Sequence, residues 1–471
     1  MNMKVKYKYI IITCIALFQS IASYSQDSLM HYLELATKNN PTVLQRYNEY
    51  QAALQKVPQV GSLPDPTLEM GVFLSPMELM AGYQVADIKL MQMFPWFGVL
   101  KNAKDEMSLM AKAKYETFRD AKLQVQYDVQ RNWFDLYRVR QNISISEKNV
   151  ELLKTIERLT LVKFKYGSTS GNSSSIASSS MSGSSAPTTS SSGMNTMGGS
   201  GISSPTRPSS SASSSAMGST SGGSGLADVY QIQIEMSELE NNIASLKSEE
   251  QVVMTRFNSQ LNRPLETSVE VADLLSSEPL DISFLSVNDS MFTQNPMLGM
   301  LQYENLSLTA RKKMVTKMGL PMVGIGLNYS VISKNELSTS EMNGQDMIMP
   351  MLTVTLPIYR KKYKAMKTET DFMKSANEQN YQATANALQT EYYEALQLYT
   401  DAQRRMKLYE NQSALDKKSL DIQIKTFSAS GANLTDILRI RQQLLSYELK
   451  QVEALVDYNK GKAWMIKIKN P

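Results

Sequence analysis

Tyr83-Gln84-Val85-Ala86-Asp87-Ile88-Lys89-Leu90-Met91-Gln92-Met93-Phe94-Pro95-Trp96-Phe97-Gly98 is a stretch that sets up a change of period. Ala86, Ile88 and Leu90 fall on one face of a strand, with Asp87 and Lys89 on the other. Pro95 ends the alternation, because proline cannot donate to a ladder and is poor inside a helix. Beyond it, Met107, Met110, Phe118, Ala121, Val125, Val129 and Leu136 keep three- and four-residue spacing or multiples of it. Residues 99–166 contain no proline, and a continuous helix over them extends roughly 100 Å at about 1.5 Å per residue. A strand therefore leads into a very long helix.

The whole arrangement occurs twice. Leu356-Pro357-Ile358-Tyr359 repeats Phe94-Pro95-Trp96-Phe97, and Leu320-Pro321 repeats Leu63-Pro64 ahead of an alternating run. Asn295-Pro296 repeats Asn40-Pro41, and Leu434-Thr435-Asp436-Ile437 repeats Leu226-Ala227-Asp228-Val229. Each copy reads as helix, two strands, long helix, turn, long helix. Strands are expected at Thr67–Ser75, Tyr83–Met93, Val323–Val331 and Ile348–Leu356. The second long helix carries Leu388, Tyr392, Leu396, Tyr399, Ala402, Met406 and Tyr409. The return helices carry Val229, Ile232, Met236, Leu239, Ile243 and Leu246, and Ile437, Ile440, Leu444 and Tyr447. Seams of this kind imply coiled-coil packing. Strands of about ten residues, apolar on one face, fit either a transmembrane barrel or a half-buried soluble hairpin. Phe94, Pro95, Trp96, Phe97 and Pro357 then mark either a membrane-interface junction or ordinary core packing.

In the first copy the turn spans Tyr166 to Leu226; in the second, only Phe427 to Leu434. The difference is an insert within Ser168–Ser224, which holds 26 Ser, 9 Gly and one charge, Arg207. So little apolar surface cannot offset the entropy of ordering, so the segment reads as a flexible loop. At the N-terminus, Lys4, Lys6 and Lys8 precede the apolar run Ile10–Phe18, and small and polar residues follow. That is the order of a secretory signal, with cleavage near Ser25; an uncleaved anchor is the alternative. The expected organisation is a signal over 1–25, a first repeat over 26–286 containing the insert 168–224, and a second repeat over 287–471.

Among 471 residues there is one His, His31, and one Cys, Cys14. That leaves no material for a zinc finger, a Cys–His nucleophile or a Ser–His–Asp triad. A Walker loop and a G-x-G-x-x-G fingerprint are also missing. No enzyme, catalytic residue or cofactor is expected. The net charge of +4 is nearly neutral for this length, and nothing in it suggests a nucleic-acid partner. No later run reaches 18 apolar residues, so a membrane role must use strands or a surface helix. Four strands cannot close a barrel, and a lipid-exposed sheet cannot leave its edges open. The missing strands must come from other subunits, and the product looks like a conduit.

Asn40-Pro41, Leu63-Pro64-Asp65-Pro66, Gln92-Met93-Phe94-Pro95-Trp96-Phe97-Gly98, Asn295-Pro296 and the two Leu-x-Asp-(Val/Ile) turns resemble the TolC-like outer membrane efflux protein family. The resemblance covers the mature chain apart from the insert, and rests on the order and duplication of the motifs. It implies a mostly α fold with a small β part. Duplicated helical hairpins would carry four strands per chain of a twelve-stranded barrel, shared by a homotrimer in the outer membrane of a Gram-negative bacterium. It also implies a periplasmic helical tunnel, a periplasmic adaptor and an inner-membrane pump. The Phe-Pro-Trp-Phe-Gly segment is similar to branches linked to resistance-nodulation-division pumps for heavy metals or drugs. An exit duct for type I protein secretion is a neighbouring reading. From other classes, a periplasmic adaptor should have one hairpin flanked by soluble strands, and a coiled-coil scaffold needs no proline-bounded strands.

By position in the family, Asp228 and Asp436 stand at the tunnel entrance. A ring of carboxylates there would bind or select cations; alternatively, each acid serves its helix N-terminus. Gly167 and Gly431 would supply the turns. Two features depart from the family tip: Arg439 stands where some members carry a second acid, and Gly431 lies close to Asp436. The insert would hang at this tip, as a tether or as a passive linker. Its Met181, Met194, Met197 and Met217 are soft candidates for Cu(I) or Ag(I), though its Met density barely differs from that of the chain as a whole. Met91 and Met93, with Met349 and Met351, would give the exit a soft lining, or simply adaptable packing. His31 reads as a surface or packing residue.

Overall fold

The structure, a computed structural model, describes residues 24–79, 81–167, 225–272, 274–280, 294–337, 339, 341–428 and 433–469. The signal segment up to residue 23, the insert 168–224 with Met181, Met194, Met197 and Met217, and Gly431 lie outside the described residues. The elements run α1 (Tyr24–Asn39), α2 (Pro41–Gly61), β1 (Thr67–Leu79), β2 (Gly82–Phe94), α3 (Val99–Gly167), α4 (Gly225–Gln260), α5 (Pro296–Met318), β3 (Met322–Ser333), β4 (Met347–Thr355), α6 (Arg360–Ser428) and α7 (Leu434–Lys469).

The two halves match in length as well as in order. Helices α3 and α6 each have 69 residues, and α4 and α7 each have 36. Each helix that precedes a strand pair begins with the same device. The Asn40 side-chain oxygen accepts from Thr42 N at 2.9 Å, and that of Asn295 from Met297 N at 3.0 Å. Proline follows at the first helical position in both, where its missing N–H costs nothing.

The expected stripes form the core. Val125, Val129, Trp133 and Leu136 of α3 pack with Ile232, Leu239 and Phe257 of α4 and with Ile437, Leu438 and Leu444 of α7. Tyr392, Tyr399 and Ala402 of α6 pack with Tyr458 and Met465 of α7 in a second cluster. The stacked Tyr399 and Tyr458 rings share a hydroxyl–hydroxyl hydrogen bond of 3.0 Å and hold the linker: Leu280 N donates to Tyr399, and Tyr458 donates to Glu278 O.

The sheet is antiparallel in the order β1-β2-β3-β4, so the β2–β3 seam joins the two halves. All four strands fall where alternation places them, and β1 runs past Ser75 to Leu79. It does so across Pro76, with a register shift between Val72 and Met77. Pro76 and Pro350 lie on the two outer strands, where a lost donor is tolerated. Among the described residues no helix is long and apolar enough to cross a membrane.

Candidate duct wall and tip

The register sorts the sheet into two faces. Leu68, Leu90, Leu327 and Pro350 are successive cross-strand neighbours, as are Met70, Ile88, Tyr329 and Ile348. Val72, Ala86 and Val331 flank these rows on one side; Ile325 with Leu352 and Phe94 with Val323 and Val354 flank them on the other. This apolar face is uncovered: Val72 and Leu352 are each 72% exposed. A soluble hairpin would bury such a face under its helices, and this chain does not.

The opposite face is polar and soft. Glu69, Lys89, Asn328 and Met349 make one row, and Gly71, Asp87, Ser330 and Met347 another. Lys89 pairs with Glu69 at 2.9 Å. Met91, Gly326 and Met351 are cross-strand neighbours on this face, and Met93 sits opposite Gly324. The Met93 sulfur occupies the space a Cβ at Gly324 would take, so the glycine makes room for the thioether. The methionines picked out by alternation thus share a face, and Met347 joins them.

Exposure varies along the strand–helix junction. Phe97 is 87% exposed and stacks edge-on with Trp96; Phe94 and Trp96 are partly exposed. Gly98 takes φ +84°, which re-aims the chain into α3, and Asn102 N donates to Gly98 O at 3.0 Å. Gln92 Nε2 donates to Pro64 O at 2.7 Å and ties the end of β2 to the approach of β1. In the second half, Pro357 separates β4 from α6 between exposed Leu356 and Ile358.

At the far end, Gly167 is the last residue of α3, and Asp228 and Asp436 each stand in the first turn of a return helix. Burial holds the Asp228 carboxyl above its ordinary range, with nearby Lys163 opposing the shift. Lys163 also lies 4.0 Å over the buried Phe427 ring, which brings the ends of α3 and α6 together. Asp436 faces Arg439 at 3.8 Å, an exposed pair worth little.

One pair here escaped the sequence reading. Arg441 of α7 donates to Glu235 of α4 at 3.1 Å, with side chains 4% and 12% exposed. Nε and Nη1 of Arg441 are buried and find no acceptor among the described residues. Burial raises the Glu235 carboxyl and weighs against the guanidinium, which stays charged at any accessible pH. The clue was a charge on an apolar stripe: Arg441 lies between Ile437 and Leu444, and Glu235 follows Ile232 by three. His31 is exposed, beside the Tyr32 ring. Among the described residues no three His, Cys, Asp or Glu side chains gather to hold a metal.

A small antiparallel sheet, bare on its apolar face and joined to two 69-residue helices, is the protomer architecture of outer-membrane channels with a helical tunnel. No family model and no curated protein sequence matches the chain, but solved structures match it over nearly its full length. The outer membrane protein VceC of Vibrio cholerae is 12% identical with a TM-score of 0.68, covering 94% of this chain and 96% of that one. CusC, solved in a study of folding and transmembrane channel formation, is 11% identical with a TM-score of 0.71, covering 94% and 92%. The CmeC outer membrane channel of Campylobacter jejuni is 14% identical with a TM-score of 0.68, covering 94% and 85%. The chain has the fold of these outer-membrane channels.

Proposed function

We propose that this chain is the outer-membrane exit duct of a tripartite efflux system. It would passively conduct substrates delivered by an inner-membrane pump and a periplasmic adaptor. The observation that supports this most is the bare apolar face of a four-stranded sheet whose edge strands, β1 and β4, have no partner among the described residues. Lipid would cover the face, and two further copies would complete twelve strands, since open edges are not tolerated in hydrocarbon. The helices, roughly 100 Å long, would then cross the periplasm. In this reading 1–25 is a removed signal, 26–286 and 287–471 are the two repeats, and 168–224 hangs from the α3–α4 tip. Asp228 and Asp436 would form the carboxylate ring at the entrance, with Gly167 and Gly431 turning the chain.

Membrane fractionation followed by native sizing tests the proposal. A detergent-stable outer-membrane trimer is expected; a soluble monomer would overturn it.

One observation favours a metal cargo over drugs or secreted proteins. Met91, Met93, Met347, Met349 and Met351 share the polar sheet face, which becomes the lumen when the barrel closes. Thioethers suit Cu(I) and Ag(I). Deleting the gene should then lower copper or silver tolerance more than drug tolerance.

A further inference from the structure

The sequence carries a concentration of cations that neither the duct nor the packing uses. Helix α6 opens Arg360-Lys361-Lys362-Tyr363-Lys364 and has no acid in its first turn. The helix dipole favours anions at an N-terminus, so these cations stand where their own helix opposes them. Arg360, Lys361, Lys362 and Lys364 are exposed and form no ion pair among the described residues. The first acids along α6 are Glu369 and Asp371, already paired with Arg311 and Lys312 of α5. Helix α3 begins in the same way: it has no acid in its first turn, and Lys101 and Lys104 are exposed.

These cations lie directly beside exposed apolar anchors. Leu356 continues the apolar face of β4, and Ile358 and Tyr359 are 76% and 85% exposed. Lys362 lines the same shallow hollow as Leu356, Ile358 and Tyr359, at the junction between the sheet and α6. On the first half, Trp96 and Phe97 precede Lys101 and Lys104 in the same order. Lys104 lies against Gly61 at the end of α2, and Lys317 against Gly98 at the start of α3, so basic side chains reach around the helix ends below the sheet.

We infer that Arg360, Lys361, Lys362 and Lys364, with Lys101 and Lys104, form a collar that binds the phosphates of anionic glycerophospholipids in the membrane leaflet below the barrel. Apolar residues followed immediately by cations match a bilayer in cross-section: acyl chains, then interface, then phosphate. The lysine and arginine stems would lie along the interface with their heads at the phosphates. The inference rests on the membrane placement proposed above.

The full chain, purified in detergent, should be titrated with phosphatidylglycerol and with phosphatidylcholine and the bound lipid counted by native mass spectrometry. Wild type is expected to retain phosphatidylglycerol in preference, and to lose the preference at high salt. Each nearby cation adds to the attraction of an anionic surface, so the quadruple variant R360Q/K361Q/K362Q/K364Q should lose at least tenfold in apparent affinity. A control variant, K148Q/K407Q/K418Q/K450Q, removes four exposed lysines away from the sheet and should bind as wild type does. Equal retention by wild type and the first variant, equal loss in the control, or displacement of the lipid by millimolar inorganic phosphate would overturn the collar. Reconstitution into vesicles separates the two readings. A wild type that fails to insert into any vesicle sinks the membrane placement, whereas insertion without lipid preference sinks the collar alone.

Discussion

Asn295 Nδ2 donates to the backbone carbonyl of Ile468 at 3.1 Å, while its side-chain oxygen caps α5. Asn40 does the same in the first half, donating to Gln260 O at 2.8 Å while it caps α2. In each repeat one amide joins the start of a strand-bearing helix to the end of the return helix. Proline next to each fixes the backbone that presents the cap.

The Asn-Pro pairs are therefore clamps, and aspartate separates their two functions. Asn40→Asp keeps the capping oxygen and removes the donor to Gln260; Asn40→Ala removes both. Loss of a cap costs about 1 kcal/mol, and an unmet buried carbonyl costs roughly 1–3 kcal/mol more. Denaturant unfolding should rank wild type above Asn40→Asp above Asn40→Ala, with the same order at Asn295. An aspartate variant as stable as wild type would mean that the bond to the end of the return helix contributes nothing.

Arg441 and Glu235 should behave as a unit. Removing one partner strands a buried charge, so Arg441→Met alone should destabilise by about 3–5 kcal/mol. The double variant Arg441→Met with Glu235→Leu should recover most of that loss, because a packed apolar pair replaces a desolvated ionic one. Thermal unfolding of both variants measures the coupling. If the double variant is no better than the single, the pair is not the cause.

Asp120 gives a pH-dependent test. Burial raises its carboxyl, with Lys467 and Arg46 opposing and Glu391 reinforcing the shift. A carboxyl whose folded value exceeds the ordinary 3.8 is fully accommodated below that pH and loses stability as pH rises through the raised value. Asp120→Asn should therefore raise the melting temperature at pH 7, and the gain should vanish below about pH 3.8. A variant less stable at pH 7 would show that Lys467 and Arg46 outweigh burial.

The fold was legible because two periods and one punctuation mark describe it. The change from alternation at Leu90 to helical spacing by Met107, with Pro95 between, locates the end of β2 and the start of α3 without any tertiary information. Duplication then makes each assignment twice. What stayed hidden depends on contacts between distant segments. Pro76 looks like a strand end, and only pairing with β2 carries β1 past it through a register shift. Arg441 interrupts an apolar stripe, yet Glu235, which makes that tolerable, lies 206 positions away. The cations at Arg360–Lys364 stood in plain view, but they gained meaning only beside the exposed Leu356 and Tyr359.

At the tip, Asp228 and Asp436 are proposed to do more than favour their helices. In planar bilayers under a KCl gradient, Asp228→Asn with Asp436→Asn should move the reversal potential towards zero, because a carboxylate ring at a constriction selects cations. If the acids serve only their helix N-termini, Asp436→Asn should lose about 0.3–1 kcal/mol in stability and the double variant should leave selectivity unchanged.

The two faces of the sheet make opposite predictions for the same substitution. Leu327 lies mid-strand on the apolar face, between Leu90 and Pro350, and it is exposed in the isolated chain. If that face meets lipid, Leu327→Lys puts a charge near the bilayer midplane at a cost of about 2–4 kcal/mol. Met349→Lys, on the neighbouring row of the other face, puts the same charge into a water-filled lumen, where it should be nearly neutral. Folding yield into vesicles, read as resistance to protease, should fall sharply for Leu327→Lys and hardly for Met349→Lys. In a soluble protein both exposed positions would accept lysine alike, because water would lie on both sides of the sheet. Equal yields would therefore remove the membrane from the account, whereas the asymmetry would place lipid against Leu327 and the aqueous path along Met349.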